Sequence, residues 1–139
     1  MIVQHDSIAE FTSTLGEGHG KSLMILSYDT NRPFEVELIF PGNPSWTFAK
    51  SILFDALTYD GTQGLGDVQL LDDDDETGNI IFFLSSPDGI AALKVRTNIV
   101  VDFADEIRQL DFEYADQAKT VVRTALDDFL TNLTTTSEE

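Results

Sequence analysis

Five apolar residues in succession, Ile80-Ile81-Phe82-Phe83-Leu84, are followed by Ser85-Ser86-Pro87-Asp88-Gly89 and then by a second apolar-rich stretch, Ile90 to Thr97. The first run has strong β preference. In the middle segment a proline sets φ at the first corner of a turn, an aspartate suits the second, and a glycine can take positive φ after it. On the returning stretch Ile90, Ala92 and Lys94 share one parity, and Ala91, Leu93 and Val95 the other. The pattern predicts a hairpin over 80–97. Apolar residues on both parities predict burial on both faces, with Ile80 to Leu84 at the centre of a sheet.

The rest of the first two-thirds reads as shorter strands separated by turn residues. Ile8 to Leu15 is a weak strand and Ser22 to Tyr28 a better one; Gly16 to Gly20 is a flexible loop between them. Asp29 to Pro33 is a turn cluster. Phe34 to Phe40 alternates, placing residues 34, 36, 38 and 40 inward and Glu35 and Glu37 toward water. Pro41 to Pro44 is a turn, and Ser45 to Ala49 a short strand with Trp46 and Phe48 on one face. The period then changes: Ile52, Leu53, Ala56 and Leu57 have helical spacing within 50–57. A glycine-bearing loop over 60–66 leads to a strand at Asp67 to Leu71, and Asp72 to Asn79 forms an acidic connection.

After the hairpin the period is helical throughout. Asn98 is placed to cap a helix whose one side carries Val100, Phe103, Ala104, Ile107 and Leu110. A second helix is predicted from about Tyr114 to Leu133, with a wide apolar stripe through Ala118, Val121, Val122, Ala125, Leu126, Phe129, Leu130 and Leu133. Thr134 to Glu139 is expected to fray. About seven antiparallel strands with one short inserted helix, then two C-terminal helices, make an α+β fold in one domain spanning residues 1–139.

Charge narrows the function more than composition does. The chain has 25 acidic and 8 basic residues in 139, a net −17. Neither half is basic, and no two basic residues are adjacent; the densest pairs are Lys94/Arg96 and Lys119/Arg123. Nucleic-acid binding draws on clustered cations that displace counterions, so this balance opposes it. Anionic lipid is opposed for the same reason. There is no cysteine, hence no disulfide or thiolate chemistry. The first residues lack a basic segment and a long apolar one, so a signal peptide is not expected, and a cytoplasmic location is.

Several motifs fall short of chemistry. Gly20-Lys21-Ser22 ends like a phosphate-binding loop, but Leu15 stands where that motif needs glycine, and Leu23 to Leu26 reads as strand where it needs a helix. Asp73, Asp75, Thr77, Gly78 and Ile80 match five positions of a calcium loop, but Leu84 replaces its terminal glutamate. The acidic run 72–76 keeps loose cation binding open. His5 and His19, the two histidines, fall in segments expected to be flexible, away from partner side chains. Trp46, Phe48, Phe54 and Tyr59 surround the short helix as core or as a contact surface. No catalytic, cofactor-binding or metal-ligating residue is assigned, no cofactor is expected, and the residues that would bind a partner are left unassigned.

Taken together, several segments resemble one family. Pro33 to Phe40, Trp46-Thr47-Phe48-Ala49-Lys50-Ser51-Ile52-Leu53, Gly66-Asp67-Val68-Gln69-Leu70, Leu84-Ser85-Ser86-Pro87-Asp88-Gly89-Ile90-Ala91 and Phe103 follow in an order similar to that of the SsgA-like sporulation and cell-division proteins of actinobacteria. Lys50 stands where that family usually has arginine, and Leu110 to Ala115 replaces a Pro-Pro-Gly segment. The resemblance implies a non-enzymatic cytoplasmic protein with a whirly-type fold that forms a homotrimer. It further implies action at the division septum through a filament-forming partner, the tubulin-like protein FtsZ. Two other readings remain: single-stranded nucleic-acid binding by fold analogy, and nucleotide binding through the loop before Ser22.

Overall fold

The alternation along β1 (Ile2–Ser13) decides how the whole sheet is built. In the computed structural model, which describes residues 1–13, 18–42 and 45–137, its odd-numbered positions turn toward the core and its even-numbered ones toward solvent. Within the C-terminal helix, the side chains of residues 114–121 and 133–137 lie outside that description. Six further strands complete one antiparallel sheet: β2 (His19–Asp29), β3 (Glu35–Ile39), β4 (Trp46–Ala49), β5 (Val68–Asp73), β6 (Asn79–Ser86) and β7 (Gly89–Arg96). Their order is β4-β3-β2-β1-β7-β6-β5, and the two edge strands β4 and β5 approach each other, so the sheet curls toward a barrel. The α+β class, the seven antiparallel strands and the inserted helix therefore match the sequence reading.

Position within the sheet differs from that reading. The hairpin over 80–97 forms with Ser86 opposite Gly89, whose φ of 139° needs glycine. Yet β6 lies next to an edge, and the central strand is β1, read from sequence only as a weak candidate from Ile8. β6 and β7 are also fully buried on one face only, with Ile81 and Phe83 half-buried on the other face of β6. Ile80, Phe82, Leu84, Leu93 and Val95 are buried, whereas Ile90 and Lys94 are exposed. Phe34, expected inward, is 79% exposed because β3 begins only at Glu35; Val36, Leu38 and Phe40 do face the core.

Three helices accompany the sheet. Helix α1 (Lys50–Thr58) buries Leu53 and Ala56, as its spacing requires. Helix α2 (Asp74–Thr77) is a single turn inside the acidic connection, closed by Gly78 in the left-handed region at φ 72°. Helix α3 (Thr97–Ser137) starts one residue before Asn98 and runs without interruption through the two helices expected from sequence. The reason is local: Leu110 to Ala115 contains neither glycine nor proline, so nothing there stops an i→i−4 ladder. It also passes Thr134, where fraying is expected.

The chain divides into two compact units, Met1–Ile107 and Arg108–Glu139. In the first, Val100, Phe103, Ala104 and Ile107 on α3 are fully buried at i, i+3, i+4 and i+7. The core also takes Met24, Leu26, Tyr28, Leu38, Leu70, Ile80 and Phe82. In the second, Phe112, Val122, Leu126, Phe129 and Leu130 are exposed, from 49% to 74%.

Candidate functional site

The motifs singled out from sequence are absorbed by backbone structure. Gly20, Lys21 and Ser22 lie within β2, opposite Phe11, Glu10 and Ala9 of β1. Their backbone is committed to a ladder, whereas a phosphate cradle requires several N–H groups pointing into one hollow. The Ser22 hydroxyl donates to the Leu23 carbonyl at 3.1 Å, and Lys21 Nζ lies 4.0 Å from Glu10 Oε1. The preceding loop, residues 14–17, falls outside the described residues.

The calcium-loop match is split between a helical turn and a strand. Asp72 Oδ1 accepts from the Asp74 N–H at 2.9 Å, and Asp73 Oδ2 accepts from the Thr77 hydroxyl at 2.9 Å. These carboxylates shape the turn instead of converging on one point. Leu84 is 6% exposed and belongs to the core. Among the described residues no group of three or more His, Asp and Glu side chains is arranged to hold a metal ion.

The histidines are not in flexible segments. His5 sits on β1 with its ring 5.5 Å from that of Phe103 in an edge-on arrangement. Its Nε2 lies 3.2 Å from Glu106 Oε2, so it has a carboxylate partner on α3 that sequence spacing could not show. The pair ties β1 to α3. His19 opens β2 on the exposed side of the sheet. The aromatic group around α1 divides: Phe48 is buried edge-on against Phe82, while Tyr59 is 61% exposed.

What the structure offers instead is surface. The apolar positions of the second unit recur as Val122, Leu126, Phe129 and Leu130, spacings that place them on one side of α3. A second exposed region lies on the outer face of the sheet. There Ile8 and Leu23 are directly paired and 58% and 38% exposed, beside Ile25 and Ile39, which are half-buried and also paired. Sequence reading missed this face because Lys21, Lys94 and Ile8 come together only through β1–β2 and β1–β7 register.

A curled antiparallel sheet with a short helix between β4 and β5 and a long C-terminal helix makes this an α+β protein. Residues 23–111 match the family described as "Streptomyces sporulation and cell division protein, SsgA", and the chain belongs to that family. It is 33% identical over 84 residues to the sporulation-specific cell division protein SsgB of Saccharopolyspora erythraea, a match spanning 58% of each chain. The fold is shared with SsgB of Streptomyces coelicolor, for which mutations correlate with longitudinal cell division during sporulation. That likeness has a TM-score of 0.67 at 23% identity, over 79% of this chain and 88% of the other. An SsgA-like sporulation-specific cell division protein from Thermobifida fusca matches with a TM-score of 0.67 at 17% identity, over 88% of this chain and 95% of the other. The family is one of sporulation and cell division proteins. Among the described residues, no helix is long and apolar enough to cross a membrane.

Proposed function

We propose that this protein is a non-enzymatic assembly module that acts at the division septum by self-association and by tethering a filament-forming division protein such as FtsZ. The observation that carries this reading is the apolar series Val122, Leu126, Phe129 and Leu130, left exposed on α3. Exposed apolar residues at helical spacing gain free energy by burial against another helix. A closed oligomer, a homotrimer as the family resemblance implies, would present identical weak surfaces together. Avidity then holds a repeating filament more tightly than any one contact does. Septal location would follow from the partner.

Sedimentation across a range of concentrations tests the first step. The expected result is an oligomer that Leu126→Glu with Phe129→Glu dissociates, while circular dichroism of the sheet is retained. A monomer at every concentration removes the mechanism. Co-pelleting with polymerised FtsZ tests the second: the oligomer should pellet and the dissociated variant should pellet much less. Mg-ATP and Mg-GTP should leave thermal stability unchanged, since a nucleotide preferring the native state would raise it.

A further inference from the structure

The sheet register concentrates cations that sequence keeps far apart. One row on the outer face runs Lys21 (β2), Glu10 (β1), Lys94 (β7), Ile81 (β6) and Leu71 (β5). Arg96 stands two residues along β7 on the same face, opposite Asn79, and His19 lies two residues from Lys21. Three of the chain's eight lysines and arginines thus share part of one face with two carboxylates, Glu10 and Asp73, in a protein of net −17. Glu10 is 4.0 Å from Lys21. Lys94 and Arg96 are exposed, and among the described residues neither forms an ion pair or side-chain hydrogen bond.

The surface is grooved as well as charged. A hollow of about 410 Å³ opens where β1 and β7 diverge, between Ile8 and Glu10 on one side and Lys94, Arg96, Asn79 and Asn98 on the other. A second, about 300 Å³, lies on the far side of Glu10 and Lys94, lined by Thr12, His19 and Lys21. The exposed Ile8–Leu23 pair borders the cations directly, with Ile90 44% exposed further along β7. The nearest carboxylates on this face beyond Glu10 are Asp6, along β1, and Asp73, across β6 from Arg96.

We infer that this face of β2, β1 and β7 is a docking site for an acidic, aliphatic-bearing segment of a protein partner, held by Lys94 and Arg96 and packed on Ile8 and Leu23. Charge complementarity selects an anionic occupant, because the area is locally positive where the rest of the chain is strongly negative. The adjoining aliphatic side chains select a polypeptide over a nucleic acid, whose phosphate backbone offers them nothing to bury. Single-stranded nucleic acid also calls for a series of stacking aromatics, and the neighbouring row offers the exposed ring of His19 and a half-buried Phe83. Arg96 presents a planar fork suited to a carboxylate, and Lys94 a point charge beside it. This rests on the reading of the protein as an interaction module but not on the helical stripe or on FtsZ.

The test uses the full chain and a fluorescein-labelled peptide alternating aspartate with valine, followed by fluorescence anisotropy at low salt. Saturable binding is expected, weakened about tenfold or more by Lys94→Glu with Arg96→Glu and by raised sodium chloride. Arg32→Glu with Arg123→Glu makes the same change in net charge elsewhere and should leave binding within about twofold. Lys94→Gln with Arg96→Gln serves if the reversal disturbs folding by circular dichroism. No saturable binding, equal loss in the control variant, or no loss in either Lys94/Arg96 variant would overturn the site. Tighter binding of labelled oligothymidylate than of the peptide would also overturn it, assigning the face to nucleic acid. Because the assay contains no division protein and does not read oligomeric state, its failure leaves the assembly reading standing, and the reverse.

Discussion

Two stretches of α3 carry the same kind of pattern and meet opposite fates. From Thr97 to Ile107 the apolar positions Val100, Phe103, Ala104 and Ile107 are fully buried in the first unit. From Arg108 onward the apolar positions Phe112, Val122, Leu126, Phe129 and Leu130 are exposed. Helical periodicity tells which residues share a side; it does not tell what covers that side. In the first stretch the cover is the sheet of the same unit. In the second these side chains are exposed, and this difference underlies the assembly proposed above.

The largest expected effect is at Phe103. Phe103→Ala should cost about 3–5 kcal/mol, read from urea unfolding, because a fully buried ring leaves a cavity that a β-sheet core relaxes around only in part. A cost comparable to that of an exposed residue would break the contrast. Next, hydrogen exchange should separate the two stretches. Amides of Val100 to Ile107 should be protected roughly a hundredfold or more beyond those of Val122 to Leu130 in dilute protein. Similar protection in both would mean that the second stretch is covered even in the dilute chain.

A smaller effect is expected at the strand–helix tie. Glu106→Gln removes the charge facing His5; with the two side chains 51% and 21% exposed, the loss should be about 0.2–1 kcal/mol. The smallest is at Phe129. Phe129→Ala should change stability by about 0.5 kcal/mol or less in dilute protein, while weakening association measured at high concentration. A loss matching that at Phe103 would show that the ring is already buried in the isolated chain.

Local signals were legible and long-range ones were not. The turn at Pro87-Asp88-Gly89, the alternation of β3 from Val36 onward and the spacing within α1 each rest on neighbours a few residues apart, and the structure places them as read. The family resemblance was likewise carried by short segments, and residues 23–111 bear it out. The central role of β1 was hidden because its inward positions include His5 and Ser7, while Ile2 and Ile8 point outward and are 60% and 58% exposed. That inverts the usual contrast between the two parities. The break expected near Leu110 rested on the apolar period alone, with no helix-stopping residue behind it, and α3 runs through it. The cationic face was invisible for a third reason: Lys21 and Lys94 are neighbours of Glu10 only after β1 has paired on both sides.

That last pairing also sets a schedule for the nascent chain. β1 is made before the other six strands of the sheet, yet its second neighbour is complete only when Lys94 and Arg96 have been made. At about 5–20 residues per second, the strand destined for the middle of the sheet waits several seconds with one side unpaired. Until β7 is made, the chain is therefore open to wrong strand partners at β1, and anything that slows translation before β7 prolongs that exposure.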